Sequence, residues 1–233
     1  MGVSIRAGSA LVGVASMFFL GACDDKADFT NILTPVATTL TVVAGSDGQT
    51  GVVGQPLPVP ITVHVLDQNG NSISGAVVSW TILGASGSVS SPTSTTNAAG
   101  DASVIWTLGT APGTDSLTAS LANGASVVIT ATATAGPFST LLLSSGDNQN
   151  IEGGTTSDNF VVKAVDANGN PVAGVTVGFS TTNVGGTLSA TSMVTDANGL
   201  ASVTLLTAPG AATFTVTATA GTAAPVVFNA SSF

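Results

Sequence analysis

The sequence contains no tyrosine, a single cysteine and few charged residues, and each scarcity excludes a class of protein. Three basic residues against twelve acidic ones cannot form the positive surface that binds nucleic acid or anionic headgroups. The one cysteine, Cys23, leaves no internal disulfide, so a hydrophobic core alone must hold the fold. Charged residues are 6% and hydrophobic residues 44% of the chain, a balance that excludes a disordered protein.

The chain is rich in strand-forming and turn-forming residues. Its apolar residues are mainly Val, Ala, Leu and Ile, its polar residues are mainly Thr, Ser and Asn, and it has 28 glycines and 10 prolines. Val and Thr favour strands, whereas Gly, Pro and Asn favour turns. The composition of these 233 residues therefore predicts an all-β protein of one or two domains.

The N-terminal segment is predicted to be a signal peptide, outside the fold. "MGVSIR" at 1–6 carries Arg6, and the apolar run at 7–20 is shorter than the roughly 20 residues of a transmembrane helix. The "LGAC" that follows at 20–23 resembles the lipobox of bacterial lipoproteins, which implies cleavage before Cys23 and diacylation of Cys23. Two acyl chains hold a protein stably on a membrane. An ordinary secretory signal with a coincidental cysteine is the alternative.

The rest of the chain consists of two similar halves, about 99 residues apart. "DQNGNSISGAVVSW" at 67–80 matches "DANGNPVAGVTVGF" at 166–179, and "TNAAGDASV" at 96–104 matches "TDANGLASV" at 195–203. A repeat of this length indicates two copies of one structural unit. The predicted organisation is a signal peptide at 1–22, a tether at 23–35, a first module at 36–135 and a second module at 137–233, with "TAGPF" at 134–138 as the joint.

Each module reads as a series of short strands with alternating apolar residues. Such alternation, separated by turn signals at about seven strands per hundred residues, predicts an antiparallel β-sandwich. The inward-facing positions of the first module are expected to include Ile61, Val63, Val65, Val78, Trp80, Ala102, Val104, Trp106, Leu117, Ala119, Leu121, Val127, Ile129 and Ala131, and those of the second Phe160, Val162, Ala164, Val177, Phe179, Ala201, Val203 and Leu205.

The motifs shared by the two halves resemble those of bacterial immunoglobulin-like group 1 (Big-1) repeats, which build invasin- and intimin-type surface proteins. They are "D-x-N-G-N-x-(V/I)-x-G", then "G-x-(V/L)-S", "T-(D/N)-A-x-G-x-A-S-V", and "APG" before "(L/V)-T-A". The resemblance implies two tandem Ig-like sandwiches that act as a structural or adhesive spacer, without catalytic residues or a cofactor.

The "DxNGN" segments at 67–71 and 166–170 look at first like calcium loops. An EF-hand loop needs glycine at its sixth position and a bidentate Glu at its twelfth. Counted from Asp67, glycine is fourth and Val78 is twelfth; counted from Asp166, the twelfth residue is Val177. Asn-Gly tolerates a positive φ and Asp caps backbone N–H groups, so we interpret both segments as turns. A weak ion between the modules is left open.

The remaining candidates give no catalytic prediction. His64, the sole histidine, aligns with Lys163 on the predicted outward face, so no role is expected for it, and the sequence offers no histidine in a suggestive context as partner for a serine nucleophile. No G-x-S-x-G motif is present. Asp67 and Asp166 occupy equivalent positions of separate modules, which favours scaffolding over a glycosidase-like pair.

The sequence therefore predicts a non-enzymatic lipoprotein of the bacterial cell envelope, exposed to the periplasm or the cell surface. Its expected contacts are the membrane, through lipid on Cys23, and a protein or glycan partner, but not nucleic acid. A glycan-binding module is the alternative, although Trp80 and Trp106 both fall on the inward face and exposed aromatics would be needed. An acid-dependent envelope hydrolase is a third hypothesis.

Overall fold

The computed structural model describes residues 34–182 and 185–233. The predicted signal peptide, Cys23 and nearly all of the tether lie outside these residues. All the regular elements of the described ranges are β-strands. None of those residues belongs to a helix long and apolar enough to cross a membrane.

Both modules contain the same series of ten strands. The strands of the first module are β1 Ala37–Val42, β2 Gln49–Val52, β3 Ile61–Asp67, β4 Val77–Leu83, β5 Ser88–Val89, β6 Thr93–Thr95, β7 Asp101–Val104, β8 Trp106–Thr107, β9 Gly113–Ser120 and β10 Ser126–Thr134. Those of the second are β11 Thr140–Ser145, β12 Gln149–Ile151, β13 Phe160–Val165, β14 Thr176–Thr181, β15 Gly186–Leu188, β16 Ser192–Val194, β17 Leu200–Val203, β18 Leu205–Thr207, β19 Ala212–Thr219 and β20 Val226–Ser232.

Each module is a sandwich of a three-stranded and a five-stranded sheet. In the first module the strand orders are β1-β3-β7 and β2-β10-β9-β4-β6, and β5 pairs with β8 in a short separate ribbon. The second module repeats this arrangement as β11-β13-β17, β12-β20-β19-β14-β16 and β15-β18. The all-β prediction with two tandem Ig-like sandwiches is confirmed.

Two details differ from the sequence-based expectation of about seven antiparallel strands per module. The additional strands, such as β5 and β8, are two or three residues long and too short to show a period of two. In addition, β2 lies parallel to β10, and β12 lies parallel to β20. After β1 or β11 the chain leaves the three-stranded sheet and crosses to the five-stranded sheet. There β2 or β12 forms the edge strand and runs parallel to its neighbour, β10 or β20.

The space between the two sheets of each module is filled by the predicted inward-facing side chains. Of those in the first module all but Val127 are buried, and Val127 packs against the cluster while half-buried. All the predicted inward positions of the second module are buried. Because these residues, apart from Leu121 directly after β9, lie at alternate positions of strands, the period of two places the core.

Candidate functional site

The two DxNGN segments form turns of the same geometry. Asp67 Oδ1 accepts hydrogen bonds from the backbone N–H groups two and four residues further on, at 2.8 and 2.9 Å. Asp166 Oδ1 does the same at 2.8 and 2.9 Å. Gly70 and Gly169 have φ of 81° and 84°, a region that glycine adopts without strain. This is the turn geometry that the sequence predicts.

Hydrogen bonding lowers the pKa of both turn carboxyl groups. For Asp67 the largest cause is the bond from the Asn71 N–H. For Asp166 the largest single cause is burial, which raises the pKa, but the bonds from Asn170, Gly136 and Asn168 together outweigh it and the pKa lies below its usual value. Both groups are therefore held as carboxylates that accept hydrogen bonds.

The carboxylate of Asp166 also ties the second module to the joint. Its Oδ2 accepts hydrogen bonds from the Gly136 N–H at 2.8 Å and from Asn170 Nδ2 at 2.9 Å. Asn170 Nδ2 in turn donates to the Thr110 carbonyl of the first module at 2.8 Å. Gly136 fits closely, since a Cβ there would lie 3.3 Å from Asp166 Oδ2. The turn therefore bonds to both the joint and the preceding module.

A cleft of about 370 Å³ lies beside this joint. Its walls include Val52, Val53 and Gln55 of the first module and Ala167 and Asn168 of the second. In the part of the chain that is described, no three His, Cys, Asp or Glu side chains converge into a metal-binding group. The carboxylate oxygens at the joint face N–H donors, the arrangement of a capped turn.

The two tryptophans are both in the core of the first module. Trp80 is 4% exposed and its Nε1 donates to Ser94 Oγ at 2.9 Å. Trp106 is fully buried, and its Nε1 donates to the Ser86 carbonyl at 2.8 Å. Neither indole can stack on a sugar ring. Among the aromatic residues that the structure describes, Phe233 alone has an exposed side chain.

The structure also brings together three residues that the sequence did not connect. His64 Nδ1 lies 2.7 Å from Asp101 Oδ1, and His64 Nε2 lies 3.0 Å from Ser72 Oγ. The sequence offered no histidine in a suggestive context for a serine, because the Ser72–His64 contact forms only when the DxNGN turn folds Ser72 back against Leu66. The His64–Asp101 contact depends on the pairing of β3 with β7, which alternation alone does not assign.

The tandem sandwiches and their shared turn define a class, the Ig-like repeat proteins. The sequence profile of the bacterial Ig-like domain (group 1) family matches residues 58–136 and 140–230. These two regions cover well over half of the chain. The chain belongs to this family, as the resemblance implied.

Proteins that this chain resembles include adhesins. The inverse autotransporter adhesin YeeJ of Escherichia coli (strain K12) is 31% identical over 174 residues, which are 72% of this chain and 7% of YeeJ. Among solved structures, the chain is similar to that of FdeC, a broadly conserved Escherichia coli adhesin, with a TM-score of 0.56 and 21% identity. The match covers 84% of this chain and 64% of that one. The chain thus spans a small part of the length of YeeJ, and the likeness to FdeC concerns the fold.

Proposed function

We propose that this protein is a non-enzymatic component of the bacterial cell envelope whose two modules act as an adhesive or structural spacer. The family and the adhesin relatives support a place at the cell surface. The bonds around Asp166 support the spacer role most directly, because they fix the second module to the joint and to Thr110 of the first. A spacer keeps its two ends at a fixed separation only when its modules do not move freely about their joint.

The proposal includes a lipid anchor at Cys23. The "LGAC" segment at 20–23 supports it, since the only cysteine of the chain follows directly on the small residues of a lipoprotein cleavage site. The mature chain would then carry twelve acidic residues and two lysines, a formal charge of −10. Such a surface is repelled by anionic headgroups, so the lipid would have to provide the membrane attachment.

We favour a protein partner over a glycan. Both indoles are buried, and apart from Phe233 the exposed large apolar side chains of the described residues are not aromatic, as for Val77, Leu142 and Val194. Aliphatic side chains supply apolar contact area but cannot stack on a sugar ring as an aromatic can.

The anchor is tested with the full chain expressed in a bacterial host and compared with Cys23→Ser. We expect the native protein in the membrane fraction, with an acylated Cys23 at the mature N-terminus by mass spectrometry. Cys23→Ser should leave the membrane fraction. An unmodified Cys23, or cleavage elsewhere, would rule the anchor out.

The adhesive role is tested on cells that display the anchored protein. Binding of these cells to surfaces coated with protein or with polysaccharide is compared with that of cells lacking it. Binding to protein surfaces supports the proposal, and binding confined to polysaccharide would favour the glycan alternative. Equal binding with and without the protein would leave only the spacer role.

A further inference from the structure

The hydrogen-bonded group of Ser72, His64 and Asp101 lies on the three-stranded sheet of the first module. His64 on β3 and Asp101 on β7 are directly opposite each other in the antiparallel register. Ser72 follows the DxNGN turn, which folds back so that Ser72 faces Leu66. Three separate segments therefore supply the three side chains, and none of them is adjacent in sequence to another.

The chemistry of the three groups fixes the direction of each hydrogen bond. An ionised Asp101 carboxylate can only accept, so His64 Nδ1 must carry the proton that lies between them. In the neutral imidazole, His64 Nε2 is then the acceptor for the Ser72 hydroxyl proton. This is the arrangement in which an imidazole, oriented by a carboxylate, acts as the general base of a serine nucleophile.

The backbone holds the group closely packed. Gly100 precedes Asp101 with φ of 85°, and a Cβ there would lie 2.9 Å from Ser72 Cβ and 3.2 Å from His64 Cε1. The Asp101 N–H donates to Asn97 Oδ1 at 3.0 Å, which fixes the start of β7. A side chain larger than that of glycine at position 100 would push the serine away from the imidazole.

The second module lacks this group although its backbone is the same. Lys163 replaces His64, Pro171 replaces Ser72, and Leu200 replaces Asp101. All three positions therefore accept other residues without loss of the fold. The serine, histidine and carboxylate are not required by the Ig-like sandwich, so their convergence in the first module needs a separate explanation.

We propose that Ser72 is a covalent acyl-acceptor site, activated by His64 and positioned through Asp101. Ser72 Oγ attacks the carbonyl carbon of an activated ester while its proton passes to His64 Nε2. The new Oγ–C bond forms as the bond between carbon and leaving-group oxygen breaks, and the imidazole proton then passes to that oxygen or to water. The product is an acyl ester on Ser72.

The surroundings define which acyl donors can react. Ser72 is exposed, and the side chains of His64 and Asp101 are 30% and 34% exposed. A large donor can therefore reach the hydroxyl. The site suits donors with a good leaving group, such as aryl esters.

The test uses the full chain and p-nitrophenyl acetate. We expect one acetyl group on the peptide containing Ser72, with release of p-nitrophenolate. His64→Lys, which installs the residue of the second module, should lower the rate of Ser72 acetylation about 100-fold, a typical contribution of a general base. Ser72→Ala should abolish that adduct. The unfolding midpoint of each variant verifies that the module is folded.

Asp101 is tested as a positioning residue. Asp101→Asn should slow acetylation of Ser72 while the unfolding midpoint is nearly unchanged, and Asp101→Glu should restore part of the rate. If Ser72 in the native protein is acetylated no faster than in His64→Lys, the three residues are only a polar contact and the proposal is wrong.

Discussion

The two modules share one backbone but fill its interior differently. Trp106 of the first module is replaced by Leu205 in the second, and both side chains are fully buried. The lost volume is supplied by phenylalanines at other positions, where Phe160 replaces Ile61 and Phe228 replaces Ile129. Phe160 and Phe228 meet edge-on with ring centroids 5.4 Å apart. The sandwich thus constrains the total core volume more than the identity of the residue at each position.

A polar pair changes together in the same comparison. Trp80 donates through Nε1 to Ser94, whereas the second module has Phe179 and Met193 at these two places. The side chain of Phe179 has no N–H, so a serine acceptor is no longer needed. The two modules therefore differ by sets of contacting residues that change together. The effect of each set on stability can be tested separately.

The largest expected effect comes from the core tryptophan. Trp106→Ala removes a fully buried indole and leaves the Ser86 carbonyl without its donor, so we expect a loss of about 4 kcal/mol in the free energy of unfolding. Trp80 remains as a fluorescent probe in the same module. A denaturant titration followed by its fluorescence measures the effect on the first module.

The matched control is Leu205→Ala, at the same position of the second module. It should destabilise the second module by about 3 kcal/mol, seen by circular dichroism, and leave the tryptophan fluorescence transition in place. A shift of both transitions in either variant would show that the modules unfold as one unit and would break the comparison.

The next effect distinguishes the two DxNGN turns. Asp166→Asn replaces a carboxylate that accepts four hydrogen bonds by an amide with a single acceptor oxygen, so we expect a loss of about 2 kcal/mol. Asp67→Asn should have a smaller effect, because Asp166 also accepts a bond from Gly136 of the joint and, among the described residues, Asp67 accepts no corresponding bond. Urea unfolding of both variants measures the difference, and equal effects would show that the bond to the joint contributes nothing.

The contribution of Asp166 to the free energy of unfolding should depend on pH, and its lowered pKa sets the direction of the change. The folded-state pKa of Asp166 is lowered, so its stabilisation is complete above the unfolded value of about 3.9 and is lost as the pH falls through the folded value. The difference in unfolding free energy between the native protein and Asp166→Asn should therefore be constant above about pH 5 and shrink in stronger acid. A difference that persists in strong acid would contradict this assignment.

The smallest effect concerns the pair that changes together. Trp80→Phe leaves the Ser94 hydroxyl without its donor and should lower the stability of the first module by about 1 kcal/mol. Adding Ser94→Met, which completes the pair found in the second module, should recover part of this loss. A double-mutant cycle followed by Trp106 fluorescence measures the coupling, and strictly additive effects would show that the two positions vary independently.

Much of this architecture could be predicted from residue order alone. The repeat is visible because Asp67 and Asp166 begin long matching segments, and the inward positions of β3 follow because Ile61, Val63 and Val65 alternate with other residues. In β13 the same positions follow from the match to β3, since its outward residues include valines. Both tryptophans fall on the inward phase, as expected. These features are local, with a period of two or a fixed turn motif.

What could not be predicted depends on contacts between distant segments. His64 meets Asp101 only because β7 lies beside β3, and the sheet order cannot be read from alternation. The bonds from Asp166 to Gly136 and from Asn170 to Thr110 depend on how one module follows the other. In both cases the residue types were visible, but the partner lay about 30 or more residues away.

The parallel pairing of β2 with β10 has a mechanical consequence when the chain is stretched. The chain enters the first module at β1, continues into β2 and leaves the module at the end of β10. Tension that passes β1 and reaches β2 would pull β2 and β10 past each other. The first of the hydrogen bonds between these two segments runs from the Gly48 N–H to the Thr130 carbonyl, and the last from the Val53 N–H to the Thr134 carbonyl. All of these bonds would bear the force at the same time rather than one after another. We therefore expect such a module to resist stretching most strongly along the direction of these two strands.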